Sequence, residues 1–462
     1  MLTLTRVGRL VQCARITRFI FPRNSLGGRK ALSAISAGGP KTQQRPPPPS
    51  EECQLTFLGT SSGGPTKSRN STSMLLQWDG PSIIIDCGEG TLRQFLNLTA
   101  PPTRIASIFI THLHGDHIFG LASMLLHMNV AKMYTSAASG PRSAPQQPLH
   151  IYGPEGLYNF LTAVFKLSRS SLHTKIIVHE LVFPEGTMSS DDKGRTMRAI
   201  KAAAVPIPQL SVGQNMRRRT ITCDRGESGV WTLPPLEKAH GGKVHIKAVN
   251  ILHTVPTVGF VLQEDDIPGK VDAAKATALG LPPCEEYTKL KKGLDVVLVN
   301  GAVIRSADVV GAPFKGRKLV ILGDTCSPWA MKAHAMGADV LVHEATVEED
   351  DNQARRKGHS TPAMAGAFAR AVEAKRLVLT HFSARMDRGA FRPYQSWADW
   401  TCATQPLVTN LDRAGKQQPA PLDRHPTNTS LTTTAASAFG KQSVLAAQDF
   451  LTILVPRGGF AP

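Results

Sequence analysis

The sequence predicts a layered α/β domain, and three features of its hydrophobic pattern lead to that prediction. Short continuous apolar runs, such as Ile108–Ile110 and Leu319–Leu322, recur along the chain, and they are typical of strands buried on both faces. Helical patterns lie between them, for example Thr361–Ala374 with Pro362 in its first turn. The runs end at polar residues, which is where open α/β sheets usually build their sites.

Five such runs follow one another along the chain, each with polar residues directly after it. In order they are Ile83–Ile85 before Asp86, Ile108–Ile110 before Thr111 and His112, Leu319–Leu322 before Asp324, Val340–Val342 before His343, and Leu377–Leu379 before Thr380 and His381. The segment Val444–Val455 predicts a helix turn and a closing strand. The elements therefore indicate one sheet-based domain over residues 51–462.

Two segments interrupt this alternation of strands and helices. Residues 184–242 are polar, basic and rich in Gly and Pro, and they contain the triple Arg217–Arg219. Residues 404–440 are poor in hydrophobic residues and rich in Thr, Ala, Pro and Asn. Both segments are predicted to be loop insertions in the domain.

Residues 1–50 differ in charge from everything that follows. They contain nine Lys or Arg and no Asp or Glu, so half of the net charge of +18 lies in this leader. Basic residues interleaved with Leu and Val are typical of an organelle transit peptide, and Pro46–Pro49 favours an extended linker. We predict import into the mitochondrial matrix. Another organelle, or a disordered basic arm with no targeting role, remains an alternative.

The rest of the composition limits partners and cofactors. No stretch approaches the roughly 20 apolar residues that a membrane span needs, so no membrane partner is expected. The remaining basic charge suits a polyanionic partner, although solubility alone would also account for it. Seven cysteines without a Cys-x-x-Cys pair argue against a disulfide framework or a thiolate zinc site and favour buried free thiols.

The segment from His112 to His117 holds three histidines and one aspartate within six residues. In an extended loop, residues two apart point the same way, so His112 and His114 can bind one cation together. Asp116 and His117, one step further, turn toward a second cation. Imidazole and carboxylate ligands without cysteine suit a catalytic zinc site.

The other ligands must come from distant segments. His253, Asp324 and His381 each follow a predicted strand, and Asp324 could bridge two zinc ions that together clamp a phosphodiester. The predicted sets are His112, His114, His253 and Asp324 for one ion, and Asp116, His117, Asp324 and His381 for the other. Eight further histidines are expected to be structural or surface residues, namely His127, His150, His173, His179, His240, His245, His334 and His425.

These motifs resemble a known family. Thr111–His117 resembles the signature loop of the metallo-β-lactamase superfamily. Further strings, in the same order along the chain, are similar to ribonuclease Z: Pro65–Asn70, Asp86–Thr91, His343–Thr346, His359–Thr361 and Thr380–Arg385. The resemblance covers about residues 53–385 and resumes at 444–456. It implies a four-layer αββα sandwich and the short form of the family, which forms homodimers.

The resemblance also implies an activity and roles for residues. The enzyme would remove the 3′ trailer from precursor tRNA, leaving a tRNA 3′-hydroxyl, by attack of a hydroxide that bridges two Zn²⁺ ions. Asp116 would assist that hydroxide, and Glu344 would orient His359 to protonate the leaving oxygen. Contacts to the substrate are expected from a set of polar residues, namely Lys67, Arg69, Asn70 and Thr91.

The family carries a protruding arm that binds tRNA, which the resemblance places at residues 265–299. This segment opens with Pro268, Gly269 and Lys270 and contains a basic cluster around Lys291. Family members usually have a Gly-Pro pair after two residues such as Pro282 and Pro283. This chain has Cys284 and Glu285 there instead.

Two other functions remain open at this point. A hydrolase of small esters, lactams or phosphodiesters on the same fold would share the metal ligands but would need neither the Pro65–Asn70 loop nor the pair Glu344 and His359. A non-catalytic tRNA-binding subunit would need no competent metal site. All seven ligand positions hold competent residues, which argues against the second alternative.

Overall fold

Two β-sheets face each other in the computed structural model, and helices cover the outer face of each. The structure describes residues 53–456, apart from residues 79, 140–146, 185–187, 191–195, 199–214, 240, 388–407, 412–416, 420–425 and 442. The transit peptide and linker predicted for residues 1–50, together with His240 and His425, therefore lie outside the described residues.

The strands in chain order are β1 Cys53–Gly59, β2 Ser61–Ser62, β3 Ser73–Gln77, β4 Ser82–Cys87, β5 Ile105–Phe109, β6 Leu149–Pro154, β7 Ile176–Leu181, β8 Met188–Ser190, β9 Thr196–Arg198, β10 Met216–Ile221, β11 Val230–Glu237, β12 Lys243–Ile251, β13 Thr257–Glu264, β14 Val296–Val297, β15 Val303–Ile304, β16 Lys318–Ile321, β17 Val340–Glu344, β18 Leu377–Thr380, β19 Phe382–Ser383, β20 Val408–Leu411, β21 Gln417–Pro419, β22 Val444–Ala446 and β23 Leu451–Val455.

The helices are α1 Thr91–Phe95, α2 Gly115–Ile118, α3 Leu121–Ser139, α4 Leu157–Leu167, α5 Ala273–Ala278, α6 Tyr287–Lys291, α7 Ser306–Val309, α8 Lys332–Ala335, α9 Asp351–Lys357, α10 Pro362–Ala371 and α11 Pro426–Phe439. Short 3₁₀ turns lie at Pro102–Arg104, Trp329–Met331 and Ala384–Asp387. None of the described helices is long and apolar enough to cross a membrane.

Within the described residues, ten strands form the first sheet, in the order β10-β7-β6-β5-β4-β3-β1-β23-β20-β21. Strands β4, β5, β6, β7 and β10 run parallel to one another. The described part of the second sheet has seven strands in the order β11-β12-β13-β16-β17-β18-β22. Its half from β16 to β22 is parallel, as the continuous apolar runs predict.

Three apolar layers hold the sheets and helices together. The middle layer lies between the sheets and includes Phe57, Phe109 and Phe260. One outer layer packs α3 and α4 on the first sheet, and the other packs α10 and α11 on the second sheet. The chain is thus a four-layer αββα sandwich, and the predicted fold class is confirmed.

Both predicted loop insertions contain elements of the sandwich, so that prediction is wrong for part of each segment. Within residues 184–242, β10 and β11 each form one edge of a main sheet, and Trp231 of β11 is fully buried. Within residues 404–440, β20 joins the first sheet, and α11 packs on α10 through Leu431, Ala435 and Phe439. The segment from Val444 begins with a strand, β22, and not with a helix turn.

The predicted arm is larger than residues 265–299. Between β13 and β16 the chain forms its own small core from Ala276, Leu281, Leu290, Val296, Ile304 and Val309. Single β-bridges join Ile267 to Phe314 and Val271 to Val310. The two chain segments at the base therefore lie side by side, and the unit extends to about residue 316 because its second half closes the core.

Candidate active site

The carboxyl ends of the central strands meet at one edge of the sandwich. The loop from His112 to His117 follows β5, and α2 begins within it at Gly115. His253 follows β12, and Asp324 and His381 follow β16 and β18. These strands come from both sheets, so the fold brings together all seven predicted metal ligands.

The first ligand group contains three imidazole nitrogens and one carboxylate. The Nε2 atom of His112 lies 3.1 Å from Nδ1 of His114, which lies 3.3 Å from Nε2 of His253. Oδ2 of Asp324 is 3.7 Å from His112 Nε2 and 4.0 Å from His253 Nε2. The four ligand atoms lie within 4.8 Å of one another.

The second group lies beside the first and shares Asp324 with it. Nε2 of His117 is 3.2 Å from Nε2 of His381, and Oδ2 of Asp116 lies 3.7 Å and 3.3 Å from these two atoms. Asp324 contributes Oδ1 at 3.5 Å from His117 and Oδ2 at 3.2 Å from His381. Its carboxylate therefore faces both groups, as a bridging ligand must.

The chemistry of these donors fits zinc. Imidazole nitrogens and carboxylate oxygens are ligands that zinc binds in catalytic sites, and no thiolate is among them. Burial lowers the pKa of His112 well below its ordinary value and also lowers the pKa of His253. A neutral imidazole keeps a lone pair available for a cation. The pKa of His117 is instead raised, because the Asp324 and Asp86 carboxylates outweigh the effect of its burial.

Several residues that orient the ligands were not predicted from the sequence. Oδ2 of Asp86 lies 2.7 Å from Nδ1 of His117, and the same carboxylate accepts from the amide and hydroxyl of Thr111, both at 2.8 Å. The Gly358 carbonyl is 2.6 Å from Nδ1 of His253. Such outer partners fix the tautomer and ring direction of a metal-binding histidine. Asp86 follows an apolar run directly, so the rule that found Asp324 could have found it.

His359 lies at the rim of both ligand groups, held by Glu344. Its Nδ1 is 2.9 Å from Oε1 of Glu344 and 3.8 Å from Oδ2 of Asp324. Burial lowers the pKa of His359, but the Glu344 carboxylate outweighs it and raises that pKa to about 9. Glu344 is itself fixed by the amide of Thr325 at 2.9 Å and the hydroxyl of Thr346 at 2.5 Å.

A second combination of atoms at this rim also has metal-binding spacing. Asp324, His359 and His381 offer ligand atoms within 4.8 Å of one another. Because Glu344 already occupies Nδ1 of His359, we assign His359 to proton transfer and not to the metal. The metal content of a His359 variant distinguishes the two assignments.

The Pro65–Asn70 loop differs from its predicted role in substrate binding. Lys67 is exposed, as a phosphate contact requires. Arg69 is buried, and its Nη1 donates to the Thr60 hydroxyl at 2.8 Å and the Ala447 carbonyl at 2.7 Å. The guanidinium also lies 4.5 Å from the ring centre of Phe382. Arg69 is therefore a structural residue here, which corrects the prediction.

Asn70 and Thr91 also have internal partners. Nδ2 of Asn70 donates to the Glu89 carbonyl at 2.9 Å, although its side chain is partly exposed. Thr91 is fully buried, and its hydroxyl donates to the Gly88 carbonyl at 2.7 Å at the start of α1. The prediction that Thr91 contacts substrate is therefore wrong, because its hydroxyl stabilises the turn.

Asp449 holds the Pro65–Asn70 loop in place, a role that was not predicted from the sequence. Its carboxylate accepts from the Thr60 hydroxyl at 2.9 Å, the Asn70 amide at 2.6 Å and Nε2 of Gln94 at 2.9 Å. Burial raises the pKa of Asp449 to about 6. The chain just before this loop reaches the ligands, since the Gly63 amide donates to Oδ2 of Asp116 at 2.5 Å.

The predictions for the other histidines and for the cysteines can also be compared with the structure, and the predicted burial of the thiols is wrong for Cys223 and Cys284. Among the described residues, the metal-spaced groups contain none of the histidines predicted to be structural or surface residues. Cys53, Cys87 and Cys326 are buried free thiols, Cys223 is half-buried, and Cys284 is exposed in the arm. Cys13 and Cys402 lie outside the described residues.

An αββα sandwich with this loop of histidines and aspartate at one edge defines a metal-dependent hydrolase of the metallo-β-lactamase fold. Sequence profiles agree with that class. The profile described as "Beta-lactamase superfamily domain" matches residues 305–382, and the profile described as "Anti-Pycsar protein Apyc1" matches residues 53–137.

Whole-chain relatives identify the family within this class. Zinc phosphodiesterase ELAC protein 1 of Homo sapiens is 38% identical over 335 residues, which cover 72% of this chain and 86% of the relative. Ribonuclease Z of Streptococcus sanguinis is 36% identical over 336 residues, covering 72% and 90%. The crystal structure of human tRNase Z, short form, matches with a TM-score of 0.50 and 26% identity, covering 87% of this chain and 99% of that one.

The chain therefore belongs to the ribonuclease Z family. The resemblance predicted from the motifs is confirmed, and so is the enzyme class, an endoribonuclease that hydrolyses phosphodiester bonds. Membership of this family fits two alternatives less well: a hydrolase specific for small esters or lactams, and a non-catalytic subunit.

Proposed function

We propose that this protein removes the 3′ trailer from precursor tRNA, leaving a tRNA 3′-hydroxyl, with two Zn²⁺ ions per chain. The observation that carries the proposal is the shared carboxylate of Asp324 between two groups of ligand atoms, with His359 at their rim. The names of the relatives, ribonuclease Z and tRNase Z, support tRNA as the substrate.

One ion is assigned to His112, His114, His253 and Asp324, and the other to Asp116, His117 and His381. Asp324 is added to the second set because its oxygens lie 3.5 Å from His117 and 3.2 Å from His381. When bound, two zinc ions supply Lewis acids that polarise a phosphodiester and lower the pKa of water. Asp116 accepts the Gly63 amide through Oδ2. That bond fixes the orientation of its carboxylate.

Proton transfer to the leaving 3′ oxygen is the role we assign to His359. Nδ1 of this ring is bonded to Glu344, so Nε2 carries the proton that can be donated. The negative charge of Glu344 stabilises the imidazolium before transfer. A histidine oriented by a buried carboxylate is thus ready to act as the general acid that protonates the leaving oxygen.

Contact with the RNA backbone is assigned to exposed cations. Lys67 is exposed on a loop that is held in place by Arg69 and Asp449. In the arm, Glu286 pairs with Lys289 at 2.8 Å, while Lys291 and Lys292 are exposed. These cations suit phosphates, whose binding is dominated by charge.

Two further parts of the proposal concern the whole protein. We propose that the enzyme acts in the mitochondrial matrix, on the basis of the acid-free basic leader of residues 1–50. We propose a homodimer, on the basis of similarity to the short form of the family. The ratio of zinc to protein and the mass in solution test the metal count and the dimer.

The central experiment is incubation of the chain lacking residues 1–50 with a labelled precursor tRNA that carries a 3′ trailer. A single cut that leaves a mature tRNA with a 3′-hydroxyl is expected. Bis(p-nitrophenyl) phosphate serves as the comparison substrate. Hydrolysis of the small ester without cleavage of the precursor would refute the proposal and favour a small-phosphodiester hydrolase.

A further inference from the structure

The triple Arg217–Arg219 lies on β10, a strand at the edge of the first sheet. Among the described residues, β10 pairs only with β7, and the pairing is parallel. All three arginines are exposed, as is Thr220. Strand β10 belongs neither to the ligand groups nor to the arm, and no role has been assigned to its arginines.

The three arginines are not equivalent. Nε of Arg218 donates to Oε2 of Glu180 at 2.5 Å, and Glu180 is a buried residue that also accepts two backbone amides. Arg218 is thus neutralised and anchored. Within the described part of the chain, Arg217 and Arg219 make no ion pair, and their positions opposite Ile177 and His179 place both on one face of the strand.

Strand order gives the position of this basic edge relative to the ligand groups. Strands β5, β6, β7 and β10 are parallel neighbours. Their carboxyl ends therefore lie along the same sheet edge. Neighbouring strands lie about 4.8 Å apart, so three steps place β10 roughly 14 Å from the strand that leads into the metal loop. A few nucleotides span that distance, since even stacked ones advance about 3.4 Å each.

We propose that Arg217 and Arg219 bind the phosphate backbone of RNA and form a second contact surface, separate from the arm. The inference rests on the proposed function, because it takes precursor tRNA as the ligand. Unpaired guanidinium groups suit phosphate oxygens. This edge is less suited to pairing with a strand from another protein than to binding RNA, because consecutive charged side chains oppose strand addition.

Binding of labelled precursor tRNA to the double variant Arg217→Gln/Arg219→Gln tests the proposal. The affinity should be measured over a series of salt concentrations. The affinity falls with salt, and each lost phosphate contact reduces the magnitude of the slope of log affinity against log salt by about 0.7–0.9. The magnitude of the slope should therefore decrease by roughly 1.4–1.8 in the double variant. The rate of bis(p-nitrophenyl) phosphate hydrolysis should not change, because neither arginine contacts the ligand groups.

A matched control removes the same amount of charge from the helices that cover the second sheet. Lys332 on α8 and Arg370 on α10 are both exposed on the helices that cover the second sheet. Lys332→Gln/Arg370→Gln should retain a slope close to that of the unmodified chain. Equal slopes for the two double variants would overturn the proposal, as would a change in oligomeric state instead of RNA affinity in the β10 variant.

The two hypotheses can fail separately in this experiment. If the unmodified chain binds RNA through Arg217 and Arg219 but does not cut the precursor, the proposed function is wrong and the surface remains. If it cuts the precursor and the β10 variant has an unchanged salt slope, the surface is wrong and the proposed function remains.

Discussion

At the scale of single residues, Asp324 is the side chain that the two groups of ligand atoms share, so the groups are not independent of each other. Its Oδ1 faces His117 of one group. Its Oδ2 faces His381 of that group and also His112 and His253 of the other. A side chain shared in this way couples the occupancy of the two groups. Loss of His114 should disturb one group directly, whereas loss of Asp324 should disturb both.

His114→Ala and Asp324→Ala are both expected to abolish cleavage of precursor tRNA and to lower the zinc content, with the larger loss of zinc in Asp324→Ala. Metal analysis of the purified proteins measures this directly. His245→Ala is the control, since His245 is exposed and bonds only to Asp265 among the described residues. Normal zinc and full activity in either variant would remove the proposed site.

His359→Ala should slow cleavage severely while the zinc content stays unchanged. Loss of a positioned general acid typically lowers the rate by about 10²–10⁴-fold. Single-turnover rates with precursor tRNA measure the effect. A variant that loses metal would instead make His359 a ligand, together with Asp324 and His381.

Residue roles in loops were the least predictable from sequence. The spacing of His112 to His117 led directly to the ligands, because strand ends and local spacing determine where those side chains meet. Arg69 and Thr91 lie in motifs of the same family, yet both point inward. The direction of a loop side chain depends on distant partners such as Ala447, which sequence spacing does not reveal.

At the scale of secondary-structure elements, a buried ion pair fixes the base of the arm. Arg317, just before β16, donates to both oxygens of Glu264 at the end of β13, each at 2.7 Å. Both side chains are buried, and Arg317 also donates to the Val455 carbonyl at 3.0 Å. The pair therefore ties the two chain segments that enter and leave the arm to the closing strand.

Arg317→Met should destabilise the protein by about 3–5 kcal/mol, because it removes both guanidinium bonds to the buried Glu264 carboxylate. Among the described residues, that carboxylate then keeps the backbone amide of residue 317 at 3.3 Å and Lys238 at 3.6 Å. The midpoint of urea unfolding measures the loss. Lys243→Met, which breaks an exposed pair with Glu237, is the matched control and should cost less than about 1 kcal/mol. Similar losses in the two variants would contradict the structural role of the buried pair.

The arm should contribute to binding and not to chemistry, since all seven proposed ligands, Glu344 and His359 lie outside it. Replacing residues 268–313 with a short Gly/Ser linker keeps the bridge between Ile267 and Phe314. This variant should hydrolyse bis(p-nitrophenyl) phosphate normally and cleave precursor tRNA poorly, mainly through a higher KM. Its tRNA affinity should also depend less steeply on salt. Equal cleavage of tRNA with and without the arm would make this unit a surface structure only.

The elements within the two segments predicted to be loops escaped prediction for a physical reason. Strand β11 contains Pro234 and Pro235, which are tolerated because its pairing register shifts between Leu233 and Leu236. Strand β10 carries exposed arginines in place of an apolar run. Helix α11 buries a stripe beginning at Leu431 among threonines and alanines. Composition alone makes all three resemble loops.

At the scale of the whole molecule, the core strands were predictable because both of their faces are buried. Each of the five apolar runs lies in or beside a central strand, and the residues that follow them converge at one edge. The order of strands in the two sheets could not be derived from the runs themselves. Family motifs supplied the four-layer αββα architecture, but the order of the strands came only from the structure.

Charge divides the whole chain into two parts, and this division leads to the last prediction. Half of the net charge of +18 lies in residues 1–50, which contain no acid. Fused to a fluorescent reporter, this leader should direct it to mitochondria, because a basic, acid-free segment with interleaved apolar residues is the composition that import requires.

A matched leader with its arginines replaced by glutamine keeps the length and the apolar residues, so it should leave the reporter in the cytosol. If the leader is only a basic arm for RNA, both reporters should stay in the cytosol, and removal of residues 1–50 should then weaken binding of precursor tRNA. A true transit peptide makes the opposite forecast for the enzyme: without residues 1–50, cleavage of precursor tRNA in vitro should be unchanged.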